Sequence, residues 1–163
     1  MIAHILSKSN EGCNAFLGGI SKNFESNLVL HPSSNRMVTE ADEFDRSFLR
    51  LFPYAAVITA MDPDHLDIYG TAEEMRKAFN EFIGQIDRKG ILLMKNGLPV
   101  ESNAKPIKTY TYALNGPADF YAENIRLDDG RYYFDLHGVF GSIENISIEQ
   151  PGLVNVENAV AAS

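Results

Sequence analysis

The sequence predicts an α/β fold: a mostly parallel sheet with flanking helices, carrying an antiparallel extension of strands at one edge. Three observations predict it. An apolar strand (Tyr54 to Ala60), an amphipathic helix (Thr71 to Ile86) and a short apolar run (Ile91-Leu92-Leu93-Met94) follow one another as in a right-handed βαβ unit. After Asn96-Gly97 the pattern changes to strands, at 107 to 113, 119 to 127, 131 to 137 and 142 to 149. Asp129-Gly130 between Leu127 and Tyr132 is a two-residue hairpin signal within them.

Each element has a local reason. Ile2, Ile5 and Leu6 share a helical face and Gly12 follows as a stop, so the chain is expected to open in the back half of a helix. Gly18-Gly19 with Lys22 reads as a tight turn or as a ligand-contacting loop. Strands are expected at 27 to 30 and 36 to 41, with Pro32-Ser33-Ser34-Asn35 turning between them. Thr71 and Glu74 have the capping-box spacing, and Met75, Ala78, Phe79, Phe82, Ile83 and Ile86 form the stripe that packs on a sheet. Pro151-Gly152 precedes a last helix that runs toward Ser163.

Composition narrows the function classes. With 163 residues and 45% hydrophobic content the chain has enough apolar mass for one core. A net charge of −8 argues against nucleic-acid and anionic-membrane surfaces, which attract clustered Lys and Arg. A phosphorylated substrate would reach so acidic a protein through Mg²⁺. Cys13 is the single cysteine, which excludes an intrachain disulfide and suits a reducing cytoplasm. Met1 to Leu6 lacks the form of a signal peptide, and no run approaches the roughly 20 apolar residues that span a bilayer.

The candidate chemistry lies at strand ends. Glu40 follows the strand at 36 to 41, and a lone acid there can serve Mg²⁺ or simply belong to the solvated acids Asp42, Glu43 and Asp45 at a helix start. His65 lies in a Pro-containing loop between Asp64 and Asp67, where a carboxylate can fix its tautomer for metal binding, or where it is a turn residue. Two parallel strands of one sheet would bring Glu40 and His65 to its carboxyl edge, where open α/β folds bind ligands. His4, His31 and His137 have no comparable acidic setting in the sequence. Asn155 and Asn158 share one face of the last helix, as a cap or as two amides that read a purine edge. No H-E-x-x-H and no G-x-x-x-x-G-K-[ST] occurs in the 163 residues.

Four ordered stretches carry a resemblance: Gly18-Gly19-Ile20-Ser21-Lys22-Asn23, Glu40 to Phe48, Asp62 to Gly70, and Pro151 to Ala159. Together they resemble the central ATP-binding domain of the Mur ligases over essentially the whole chain. Phe44-Asp45-Arg46-Ser47-Phe48 is more similar to the alanine-adding branch than to the branch that recycles murein tripeptide. The resemblance implies a P-loop-type sheet and a cytoplasmic parent enzyme in peptidoglycan biosynthesis. In that family ATP phosphorylates the lactyl carboxylate of UDP-N-acetylmuramate, L-alanine attacks the acyl phosphate, and ADP and phosphate leave. By position, Glu40 and His65 would be catalytic and serve Mg²⁺, and Asn155 and Asn158 would hold ATP near its adenine.

The departures shape the expectation. The family's P-loop is absent from these residues, as are its UDP-binding N-terminal domain and its C-terminal domain. Val154 stands where many alanine-adding ligases have histidine, and no lysine matches the carbamylated one of several related ligases. The chain is therefore expected to be a truncated central domain, inactive alone, with unpaired edges that favour self-association or local disorder near residues 1 to 25. A non-catalytic nucleotide-binding or interaction domain is the reading from another class.

Overall fold

The structure, a computed structural model, describes residues 1–63, 66–100 and 108–163. The chain forms two units, Met1–Ala41 with Ala162–Ser163, and Asp42–Ala161.

In the first unit, α1 (Ile2–Lys8) precedes β1 (Asn14–Ser21), β2 (Ser26–Val29) and β3 (Met37–Thr39). The sheet order is β2-β1-β3, with β1 antiparallel to β2 and parallel to β3. Ala3, Cys13 and Ala15 form its core, joined by Leu6, Leu17, Phe24, Val29 and Val38. Helix α1 thus buries Ala3 and Leu6, whereas Ile5, expected on that face, is 46% exposed. Gly12, at φ +60°, ends the helical stretch as expected, in a conformation that side chains avoid. The Gly18-Gly19 turn is corrected: both glycines lie inside β1, and at Gly18 another group approaches closely.

The second unit holds a six-stranded sheet of order β4-β5-β6-β7-β8-β9. Its strands are β4 (Ala55–Ile58), β5 (Ile91–Lys95), β6 (Lys108–Ala113), β7 (Phe120–Asp128), β8 (Arg131–Gly138) and β9 (Gly141–Ile148). Its helices are α2 (Leu66–Tyr69), α3 (Ala72–Gln85) and α4 (Leu153–Ala162). β4, α3 and β5 form the expected βαβ unit, with β4 and β5 parallel. β7, β8 and β9 are the antiparallel extension, turned at Asp129 and Gly130, both at positive φ. The switch falls later than expected, because β6 pairs parallel with β5 and β7 pairs parallel with the end of β6. Only Tyr112↔Phe120 and Ala113↔Tyr121 pair there, so the six-residue loop need not retrace a whole strand. Asp119 closes that loop, its Oδ2 accepting from the Thr111 amide at 2.7 Å and from its hydroxyl at 2.9 Å.

The helical stripe packs as its spacing requires. Met75, Ala78, Phe82, Ile83 and Ile86 are buried with Phe48, Ile58 and Leu92 beneath the β4–β5 part of the sheet. A second cluster joins Tyr112, Ala122, Phe134 and Leu136 to Val156, Val160 and Ala161 of α4. Thr71 caps α3, its hydroxyl accepting from the Glu74 amide at 3.2 Å, while the Glu74 carboxylate pairs with Lys77 at 2.9 Å. Replacing this cap with alanine, Thr71→Ala, is expected to cost about 1 kcal/mol in urea unfolding. An unchanged midpoint would contradict the capping role.

Candidate functional site

Glu40 sits one residue beyond β3, and its amide donates to the Phe16 carbonyl at 3.3 Å, so the backbone still follows β1. Its side chain folds back over β1, where Oε2 accepts from the Gly18 amide at 2.9 Å. A Cβ at residue 18 would lie 2.6 Å from that oxygen, which is why glycine stands there. The second carboxylate oxygen has no partner among the described residues.

The acids after Glu40 do not line a regular helix start. Residues 44–50 form a 3-10 segment in which Asp45 and Arg46 take φ +53° and +62°. Asp42 and Tyr69 hold this turn: Asp42 Oδ1 accepts from the Phe44 amide at 3.0 Å, and the Tyr69 hydroxyl donates to the Glu43 carbonyl at 2.6 Å. The Arg46 guanidinium lies 5.1 Å from the centre of the Tyr69 ring.

His65, with Asp64, lies outside the described residues. The expectation that the strands before Glu40 and His65 belong to one sheet is nonetheless corrected. β3 belongs to the three-stranded sheet and β4, which leads toward His65, to the six-stranded one. Short strands with no side-chain pairing signal left the sheet partner of β3 undetermined in the sequence.

The parallel registers Ile58↔Met94, Met94↔Thr111 and Lys95↔Tyr112 bring the carboxyl ends of β4, β5 and β6 to one edge. At that edge Lys95 Nζ lies 3.0 Å from Oε2 of Glu157 on α4, whose side chain is only 17% exposed. The Asn96 amide donates to the Tyr112 carbonyl at 2.8 Å, and its side chain to the Pro117 carbonyl at 3.0 Å. Asn155 and Asn158 lie on the same helix as Glu157, half-buried. Asn155 is the third residue of α4 and its Nδ2 donates to the Pro151 carbonyl at 2.7 Å, so it is not the N-cap that the sequence allowed; its amide oxygen has no partner among the described residues. Asn158 has no described side-chain partner. Sequence reasoning missed Lys95 and Glu157, for which the one signal was a lysine closing the apolar run Ile91–Met94. It also missed the acid beside His137, whose Nε2 lies 3.3 Å from Glu123 across β7 and β8.

No three His, Cys, Asp or Glu side chains converge among the described residues. Mg²⁺ is usually held by one or two carboxylates with substrate phosphates and waters, and a single carboxylate with one free oxygen, as at Glu40, fits that use.

The chain's relatives agree with this architecture. The Mur ligase middle domain family matches residues 1–163, and the chain belongs to that family. A UDP-N-acetylmuramate–L-alanine ligase of Parabacteroides distasonis is 53% identical over 163 residues, covering 99% of the chain and 35% of that protein. The chain thus spans about a third of the length of the curated relatives it matches. Among solved structures, the UDP-N-acetylmuramate-alanine ligase of Thermotoga maritima superposes with a TM-score of 0.80 at 22% identity, over 99% of the chain and 36% of that one. The MurF ligase of the same organism, solved in complex with ADP, gives a TM-score of 0.70 at 16% identity, over 98% and 40%.

The edge also predicts an alkaline response. Burial, and then the nearby Glu157 carboxylate, push the Tyr112 hydroxyl up to about 12. The unfolded tyrosine ionises near its ordinary value of about 10, so stability falls between those two pH values, by about 2–3 kcal/mol in all. Urea unfolding from pH 9 to 12 is expected to show this extra loss in the native chain and not in Tyr112→Phe.

Proposed function

We propose that the chain is the central, nucleotide-binding domain of an ATP- and Mg²⁺-dependent UDP-N-acetylmuramate:L-alanine ligase, a cytoplasmic enzyme of peptidoglycan biosynthesis. The observation that carries this reading is the 53% identity, over 99% of the chain, to a protein of that name. The ADP held by a fold neighbour supports a nucleotide as ligand. No helix among the described residues is long and apolar enough to cross a membrane.

The proposed reaction transfers the γ-phosphoryl group of ATP to the lactyl carboxylate, and the amine of L-alanine displaces phosphate from the acyl phosphate. The chain's own residues serve it by position and charge. The Gly18 amide holds the Glu40 carboxylate in one orientation, with its free oxygen available to a cation. His65 would ligate a Mg²⁺, as its position in the family motif implies. Bound Mg²⁺ would neutralise phosphate charge that otherwise repels the carboxylate nucleophile. Asn158 can both donate to and accept from a purine edge, and Asn155, with one N–H engaged by Pro151, keeps its amide oxygen and its second N–H. The UDP-sugar and amino-acid contacts, and the phosphate cradle, would come from the remainder of the parent polypeptide. The 163 residues alone would then be inactive.

The test is phosphate release by the full-length parent with ATP, Mg²⁺ and UDP-N-acetylmuramate, supplied with L-alanine or murein tripeptide. Release with L-alanine is expected; release only with tripeptide, or with neither, would overturn the assignment. Glu40→Gln is expected to lower kcat by roughly 10²-fold, and Gly18→Ala, which displaces that carboxylate, by roughly 10- to 100-fold.

A further inference from the structure

Helix α4 is attached to the sheet chiefly by apolar contact. Val156, Val160 and Ala161 enter the cluster of Tyr112, Ala122, Phe134 and Leu136. Such contact is non-directional and resists rotation of the helix only weakly. Rotation matters here, because a side-chain tip about 5 Å from the helix axis moves roughly 1–2 Å for every 10–20°. Asn158 has no described protein partner to hold its amide in place.

The ion pair on α4 is directional. Glu157, next to Asn158 in the sequence, meets Lys95 at 3.0 Å, and Lys95 is the last residue of β5. Lys95 is in turn fixed by its register opposite Tyr112, on the edge where three parallel strands end. A carboxylate exposed to only 17% needs a counter-charge, and β5 delivers it from 62 residues away.

We propose that Lys95 and Glu157 are positioning residues for the nucleotide: their ion pair sets the rotation of α4 and thereby aims the Asn155 and Asn158 amides at the purine base. The proposal rests on the reading of those amides as ATP contacts. Neither residue of the pair touches the base; both act through Asn158.

The test is the affinity of the full-length parent for ATP with Mg²⁺, by titration calorimetry, together with kcat at saturating ATP. Lys95→Met and the near-isosteric Glu157→Gln are each expected to weaken ATP roughly 5- to 10-fold and to leave kcat within about twofold. The charge exchange Lys95→Glu with Glu157→Lys is expected to restore most of the affinity. In an Asn158→Ala background, Lys95→Met should add less than about twofold, because the amide it positions is gone. Unchanged affinity in the two single variants, an undiminished effect of Lys95→Met beside Asn158→Ala, or an equal fall in kcat would overturn the proposal. Should the parent release no phosphate with L-alanine, the functional reading fails, while these ATP titrations still decide the role of the pair.

Discussion

Parallel pairing obliges strands to end together, and in the second unit that constraint organises nearly everything of chemical interest. β4, β5 and β6 run in one direction, so their carboxyl ends share an edge. The apolar stripe of α3 makes the arrangement possible by covering the crossover between β4 and β5, with Ile83 and Ile86 fully buried. What the edge then receives is polar: Lys95, Asn96, the loop from Asn115 to Asp119, and through Glu157 the middle of α4.

The first unit reaches specificity by the opposite means, a close approach in place of a packed stripe. β1 carries two glycines, and the carboxylate of Glu40 rests against the backbone that a side chain at residue 18 would cover. A bond from a backbone amide to a carboxylate orients the acid without supplying a counter-charge, which leaves its negative charge available to a cation. Glycine here is a requirement of the acid, although the sequence offers it as a turn.

Local signals were legible wherever a short segment decides its own structure. The stripe from Met75 to Ile86, the Thr71 cap, the Asp129-Gly130 hairpin and the helix after Pro151-Gly152 all follow from spacings of a few residues. Partners across the chain were not legible. Nothing in Met37-Val38-Thr39 says whether β3 joins β1 or β4, since a three-residue strand has no pattern that specifies a neighbour. The parallel course of β6 was hidden for a similar reason: an alternating strand reads the same in either direction. Glu123 beside His137 and Glu157 beside Lys95 are pairs made by register and by helix packing, not by sequence neighbours.

The sequence by itself determined the class of fold and the family resemblance, and it nominated the acid, imidazole and amides proposed for a nucleotide site, because these depend on residue type and short-range order. Tertiary structure decided which of those groups are held, and by what. It seated Glu40 on Gly18 and joined β5 to α4 through Lys95 and Glu157. Such contacts depend on how distant segments fall against one another, and hydrophobic burial, which drives that collapse, is non-directional and leaves no local mark on the residues it brings together.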